Sequence, residues 1–164
     1  MIVLDTSTLI LLAKIDLLRL LAEKTRLQIP IEVQLEALAK PELYDARIIA
    51  EMIVNGEIQV AKEIEKHQCQ QLQKDFGLEV GEASALLLVK KTGVPFGTDD
   101  ELAIKAAKIM GISFFTAIHV VTELYEKGRL DQKSALTKLE RLEKIGRYDL
   151  QIIEDARQRI QEKR

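Results

Sequence analysis

The sequence predicts an α/β domain built on a parallel β-sheet. Short apolar segments alternate with longer amphipathic ones along the chain, which is the pattern of strands connected by helices. The first segment, Ile2 to Leu4, is uninterrupted by polar residues, as expected of a strand buried on both faces of a parallel sheet. The chain has 164 residues, 47% of them hydrophobic, which is enough to form one sizeable core.

Five segments are predicted to be strands. Each is short, and each precedes a segment with helical periodicity. They are residues 1–5, 26–30 (RLQIP), 57–62 (EIQVAK), 94–98 (VPFGT) and 112–116 (ISFFT).

Helices are predicted between these strands, and the residues at their starts support the assignment. Thr6 and Ser7 can cap the first helix, and Asp16 can cap the second. Pro30 suits the first turn of the third helix, and Pro41 opens the fourth. The second to fourth predicted helices are residues 16–24, 30–40 and 41–54.

Glycines mark several ends in the remaining helices. Gly77 and Gly93 follow helical patterns and favour a left-handed C-terminal cap. No linker, low-complexity tract or internal repeat interrupts the series. The predicted helices are residues 63–77, 81–93, 99–111, 117–128 and 131–146, with a last one from Leu150.

Composition excludes several classes of protein. The single cysteine, Cys69, excludes an internal disulfide framework and a cysteine-built zinc site. The first apolar run is too short to span a membrane and lacks a secretory signal pattern, so a cytoplasmic location is expected. The net charge of −2 argues against a generic basic nucleic-acid binder.

Carboxylates fall where the predicted elements begin and end. Asp5 ends the first strand, Asp99 and Asp100 follow the fourth strand, and Glu82 begins a helix. Glu36 lies on the helix after the second strand, between two leucines. Ligands of open α/β sheets bind beyond the carboxyl ends of the strands. A set of carboxylates without histidine or cysteine suits a hard cation, Mg²⁺ or Mn²⁺.

Each acid also has a purely structural interpretation. Asp5 can be an ordinary N-cap, and Glu82 can simply complement a helix dipole. Asp99 and Asp100 can be first-turn acids for the same reason, and Glu36 can be a solvated helix residue. Their joint order along the chain is what favours a shared site.

That order resembles the successive acidic motifs of the PIN domain. The matching segments are VLDTSTLI, IPIEVQLEAL, GEASALLLVKKTG and PFGTDDELAIKAAKIMGI. They are most similar to the toxin-type, VapC-like branch, within an archaeal and bacterial subgroup of nucleic-acid-binding PIN proteins. The resemblance covers residues 1–130 and is strongest over 1–12 and 80–112.

The resemblance implies a Mg²⁺- or Mn²⁺-dependent endoribonuclease on a Rossmann-like, three-layer α/β/α sandwich. It also assigns roles to single residues, and Asp99 ranks before Asp100 as the principal ligand of that pair. The catalytic and metal-binding acids would be Asp5, Glu36, Glu82 and Asp99, with Asp100 as a further metal ligand and Ser7 and Thr98 as supporting hydroxyls.

The resemblance also sets expectations for domains and partners. Residues 1–130 would form the nuclease domain, and residues 131–164 a helical extension packed on it. RNA would be the substrate. Toxin-type members work with an antitoxin and commonly pair as homodimers, for which residues 117–128 and 136–145 offer apolar faces.

Two other functions stay open at this stage. A Rossmann-like phosphatase of the haloacid-dehalogenase type wants Asp-x-Asp after the first strand, and Ser7 at the third position weakens that reading. A nucleic-acid-binding or scaffold protein with a silent PIN fold is the other alternative, and the intact acids argue against it.

Overall fold

The computed structural model describes residues 1–62 and 64–162. Within them, five strands form one sheet, and each lies inside a segment predicted from the sequence. The strands are β1 (Ile2–Leu4), β2 (Leu27–Pro30), β3 (Ile58–Ala61), β4 (Phe96–Gly97) and β5 (Phe114–Phe115).

Helices occupy every predicted helical interval. The first four are α1 (Thr6–Lys14), α2 (Leu18–Ala22), α3 (Ile31–Ala37) and α4 (Tyr44–Val54). Residue 63, where the fifth was expected to begin, lies outside the described residues, as do residues 163 and 164. The other helices are α5 (Lys66–Phe76), α6 (Val80–Thr92), α7 (Glu101–Ile109), α8 (Ala117–Glu126), α9 (Gln132–Ile145) and α10 (Leu150–Glu162).

The sheet is parallel throughout, with the strand order β3-β2-β1-β4-β5. The chain therefore moves outward from β1 to β3 and then crosses back to β4 on the other side of β1. Because crossovers are right-handed, this reversal puts α1 to α4 on one face and α5 to α7 on the other. The predicted Rossmann-like α/β/α sandwich is confirmed. Its topological switch point lies between β1 and β4.

The centre of the sheet is packed tightly around those two strands. Val3, Leu4 and Phe96 are fully buried. Gly97 permits the close packing, since a Cβ there would lie 2.4 Å from Leu4 Cδ2 and 2.8 Å from the ring of Phe115. The ends of β1 and β4 are therefore fixed relative to each other.

Two predicted helix starts are wrong. Asp16 does not cap α2, whose N-cap is Leu17. Asp16 instead has φ 58° at the bend after α1, a left-handed conformation that Asp tolerates. Pro41 does not open α4, because residues 41–43 make a turn, closed by Leu43 N donating to Lys40 O, before Tyr44.

Of the residues that could cap the first helix, the structure uses Asp5 and not Thr6 or Ser7. Asp5 is the N-cap of α1, and Thr6 and Ser7 are its first two helical residues. Pro30 ends β2 and is the N-cap of α3, one residue before its predicted place in the first turn.

The chain divides into two compact units, Met1–Phe115 and a second unit from Thr116 onward. In the second unit, α8, α9 and α10 contact one another. Val121, Leu139 and Leu142 are fully buried, so much of the apolar faces of α8 and α9 that were expected to be free for pairing is covered. The division into 1–130 and 131–164 stays a prediction. Among the described residues, no helix combines the length and the hydrophobicity that a membrane span requires.

Candidate metal-binding active site

The two central strands deliver acids to one place. Leu4 and Gly97 are paired in register, and the next residues continue the ladder, with Asp5 N donating to Gly97 O at 3.0 Å. Asp5 thus follows β1 at the point where Thr98 and Asp99 follow β4. This point is the topological switch of the sheet, where ligands bind in open α/β folds.

Asp5 is fully buried and surrounded by donors. Its Oδ1 accepts from Ser7 Oγ at 2.7 Å and from Thr8 N at 3.1 Å, and its Oδ2 accepts from Thr98 Oγ1 at 2.5 Å. Burial nevertheless raises the pKa of Asp5 to about 7, with Asp99 adding to the rise and the three hydrogen bonds opposing it. The two expected supporting hydroxyls, on Ser7 and Thr98, both contact Asp5.

Asp99 and Asp100 point to different partners. Asp99 Oδ2 accepts from Thr8 Oγ1 at 2.5 Å, and Asp99 N donates to Ser7 Oγ at 3.0 Å. Asp100 caps α7, since its Oδ1 accepts from Ala103 N at 2.8 Å. The two adjacent acids therefore have different structural roles. Asp99 is tied to the start of α1, and Asp100 starts the next helix.

Glu82 lies in the first turn of α6, on the face of the sheet opposite to α1. Its Oε2 accepts from Glu79 N at 2.9 Å, so it helps to cap its own helix. Burial, and to a lesser extent the nearby carboxylates of Asp100 and Asp5, raise the pKa of Glu82 to about 7, while the hydrogen bond from Glu79 N opposes the rise. Glu82 therefore lies within electrostatic reach of the acids that follow both central strands.

Glu36 joins the site through two hydrogen bonds. Its Oε2 accepts from Thr6 Oγ1 at 2.5 Å, and its Oε1 accepts from Gly81 N at 2.9 Å. Only glycine leaves room for this arrangement, because a Cβ at residue 81 would lie 2.4 Å from Glu36 Oε2. Glu36 thus bridges the residue after Asp5 and the residue before Glu82.

Sequence reasoning missed three residues of this arrangement. Thr6, Thr8 and Gly81 each donate a hydrogen bond to one of the acids. In the sequence, however, the two threonines are ordinary residues for the start of a helix, and so is the glycine. The available signal was the run Thr6-Ser7-Thr8 directly after Asp5. Successive residues of a helix point about 100° apart, so three consecutive hydroxyls can reach three different acids.

The donor set fits a hard divalent cation by its chemistry. All the acids offer oxygen, the ligand atom of Mg²⁺ and Mn²⁺, and their mutual repulsion would be relieved by positive charge. In the described part of the chain, no three His, Cys, Asp or Glu side chains are already gathered closely enough to hold an ion. The fit is one of charge and ligand type, without a preformed cage.

The lysines of α6 and α7, which are candidates for holding a phosphate backbone, are not equally placed relative to the acids. Lys90 and Lys91 are in the last turn of α6, roughly 12 Å along the helix from Glu82 at 1.5 Å per residue. Lys105 is paired with Glu101 at 3.5 Å, on a solvent-exposed part of α7. Of these lysines, Lys105 is nearer the start of a helix that begins at the site.

A family model described as a PIN domain matches residues 1–162. The match continues well beyond residue 130, through the segment that forms α9 and α10. No curated protein matches the chain.

Proposed function

Since the chain belongs to the PIN-domain family, we propose that it is a Mg²⁺- or Mn²⁺-dependent endoribonuclease. PIN domains are in general nucleases that bind nucleic acid and use divalent metal ions. RNA as the substrate, hydrolysis within the strand and the choice of Mg²⁺ or Mn²⁺ are the proposed parts. A cytoplasmic location goes with an RNA substrate and stays a prediction.

The observation that carries the proposal is a concentration of negative charge at the switch point of the sheet. Asp5 comes from the end of β1 and Glu82 from the start of α6, and each has a pKa raised to about 7 by burial and by neighbouring acids. No basic side chain is among the causes of either shift. A fold that gathers uncompensated carboxylates at its ligand-binding edge is suited to a cation.

The proposed roles follow from the contacts. Asp5, Glu36, Glu82 and Asp99 would hold the metal, with Asp100 as a further ligand beside Glu82. Ser7 and Thr98 orient the Asp5 carboxylate by donating to its two oxygens. When bound, a divalent cation supplies an acidified water as nucleophile and neutralises charge on the phosphate.

Cleavage of a mixed RNA pool tests this proposal. Wild-type protein should cut RNA with Mg²⁺ or Mn²⁺, lose the activity in EDTA and regain it when excess metal is added. Asp5→Asn should lose most of the activity. Asp75→Asn, which removes the same charge from an exposed position on α5, is the matched control and should cut normally. RNA binding without cleavage would favour the silent scaffold alternative.

The toxin role is a separate part of the proposal and rests on the VapC-like resemblance. Inducing wild-type protein in a bacterial host should arrest growth, and Asp5→Asn should not. Growth arrest by both proteins would point to toxicity without cleavage. A protein that neutralises the arrest when co-expressed would be the expected antitoxin.

A homodimer is also proposed, with a revised surface. The candidates are now Ile145, which was in the predicted surface, and Leu150 and Ile152 of α10; they are 44%, 76% and 51% exposed, whereas much of the predicted faces of α8 and α9 is buried. The mass in solution should be that of two chains. Leu150→Lys should shift it toward one chain, because a charge at a dimer contact loses its hydration.

A further inference from the structure

We propose that Thr8 is a positioning residue for the candidate metal site, holding the Asp99 carboxylate in the orientation in which it faces Asp5. This inference rests on the proposed function. It goes beyond it by giving a role to a side chain outside the acidic motifs.

The contacts of Thr8 join the two central strands. Its main-chain N donates to Asp5 Oδ1 at 3.1 Å, and its hydroxyl donates to Asp99 Oδ2 at 2.5 Å. The two acids follow different strands, so Thr8 is bonded at once to the residue after β1 and to the segment after β4.

Burial makes the orientation of this hydroxyl specific. Thr8 is 0% exposed, and it lies in the first turn of α1, whose N-cap is Asp5. A β-branched side chain in a helix has few allowed rotamers, so the hydroxyl is aimed by the backbone. A hydroxyl has one proton to donate, and here the acceptor is a carboxylate, which makes a strong, charge-assisted bond.

The neighbouring hydroxyls do different work. Thr6 Oγ1 donates to Glu36, and Ser7 Oγ donates to Asp5. The first turn of α1 thus sends three consecutive hydroxyls to three acids, and Thr8 supplies the one that reaches Asp99. Partners of this kind around metal ligands typically change metal affinity or activity by about 10- to 100-fold when removed.

The test compares Thr8→Val with Thr8→Ser. Valine keeps the shape and the main-chain N–H but has no hydroxyl, whereas serine keeps the hydroxyl. Mn²⁺ affinity by calorimetry should fall about 10- to 100-fold in Thr8→Val and recover to near wild type in Thr8→Ser. RNA cleavage at low metal should follow the same order, and excess Mn²⁺ should restore part of it.

A background variant separates positioning from a general structural effect. In Asp99→Asn protein, Thr8→Val should cause little further loss of Mn²⁺ affinity, because the charged acceptor is already gone. Thr8→Ala serves as a second hydroxyl-free variant should the melting temperature of Thr8→Val fall sharply.

The outcomes separate this inference from the proposed function. If Thr8→Val, Thr8→Ala and Thr8→Ser all bind Mn²⁺ as tightly as the wild-type protein does, the role of Thr8 is overturned and the nuclease proposal is left intact. Equal losses from Thr8→Val in wild-type and Asp99→Asn backgrounds would also overturn it. Wild-type protein that binds no Mn²⁺ would overturn both.

Discussion

Asp5 shows how one residue can satisfy two interpretations at once. It caps α1 through Thr8 N and also lies at the ligand-binding edge of the sheet. A cap alone would not need full burial beside other acids. Burial raises its pKa to about 7 even though three donors oppose the rise, so ionised Asp5 is held at a cost.

The cost of ionising Asp5 predicts that the stability of the metal-free protein depends on pH. The pKa of Asp5 is higher in the folded chain than the ordinary value of 3.8, so the folded protein binds a proton more tightly than the unfolded one. The stabilisation of the folded state by protonated Asp5 is complete below pH 4 and is lost as the pH rises through about 7. In EDTA, the free energy of unfolding should therefore fall between pH 4 and 7, by an amount on the order of a few kcal/mol.

Asp5→Asn should remove much of this decrease in the free energy of unfolding with pH. The decrease that remains should come from Glu82, whose pKa is raised in the same direction. At pH 8 the metal-free variant should be no less stable than wild type, because one repulsive charge is gone. Urea unfolding at a series of pH values measures this. A wild-type slope of the opposite sign over pH 4 to 7 would contradict the buried, uncompensated acid.

Asp99 and Asp100 should differ when each is changed to Asn. Asp99 accepts from Thr8 beside Asp5, so Asp99→Asn should lose most of the RNA cleavage. Asp100 caps α7, and Asn is also a good cap, so Asp100→Asn should keep the fold and more of the activity. Cleavage rates and melting temperatures of the two variants check this, and the reverse order would make Asp100 the principal ligand.

At the scale of single residues, the sequence was informative where burial and charge conflict. Asp5 stood out because a carboxylate lies between two apolar segments. Thr8 did not stand out, because a hydroxyl at a helix start is usually a cap or solvated. Its role depends on Asp99, 91 residues away, and pairings over that distance come from the fold.

Among the elements, α6 shows how a helix start is shaped by a distant side chain. Gly81 occupies the second helical position, where alanine would ordinarily favour the helix by about 1 kcal/mol. Here a Cβ would meet both carboxylate oxygens of Glu36, at 2.4 and 2.6 Å. The glycine is therefore required by the site and not by the helix.

Gly81→Ala should separate activity from stability. The Glu36 carboxylate lies at the end of a flexible side chain, so it can move away, and the melting temperature should change little. The displaced Glu36 should lose its bond to Gly81 N, and RNA cleavage should fall at least several-fold. Gly56→Ala is no control, because Gly56 has φ 76°. Glu36→Gln is the matched variant, and unchanged cleavage in both would remove Glu36 from the site.

Helix boundaries were predicted least well, for a physical reason. Asp16 and Pro41 both carry helix-start signals, yet a tight bend and a turn place the real starts downstream. Local capping preferences are worth about 1 kcal/mol, and packing of the apolar face decides where a helix begins. Gly77 and Gly93, whose left-handed conformation few other residues adopt, marked their helix ends correctly.

For the whole molecule, alternating segments predicted a parallel sheet but not the order of its strands. The order β3-β2-β1-β4-β5 puts the first and fourth strands together, and that pairing brings Asp5 and Asp99 to the same edge of the sheet. Periodicity cannot show which strands are neighbours, so convergence of the acids was an expectation from the motif order. The family match supports the resemblance on which that expectation rested.

Titration of the protein with Mn²⁺, followed by calorimetry in buffers of different ionisation enthalpy, tests the central claim most directly. With pKa values of about 7 for Asp5 and Glu82, binding at pH 6.5 should release protons, and the release should vanish near pH 8.5. Asp5→Asn should bind much more weakly, and Asp75→Asn should bind like wild type. Absence of Mn²⁺ binding, or equal affinity in wild type and Asp5→Asn, would contradict a metal site at the switch point of the sheet.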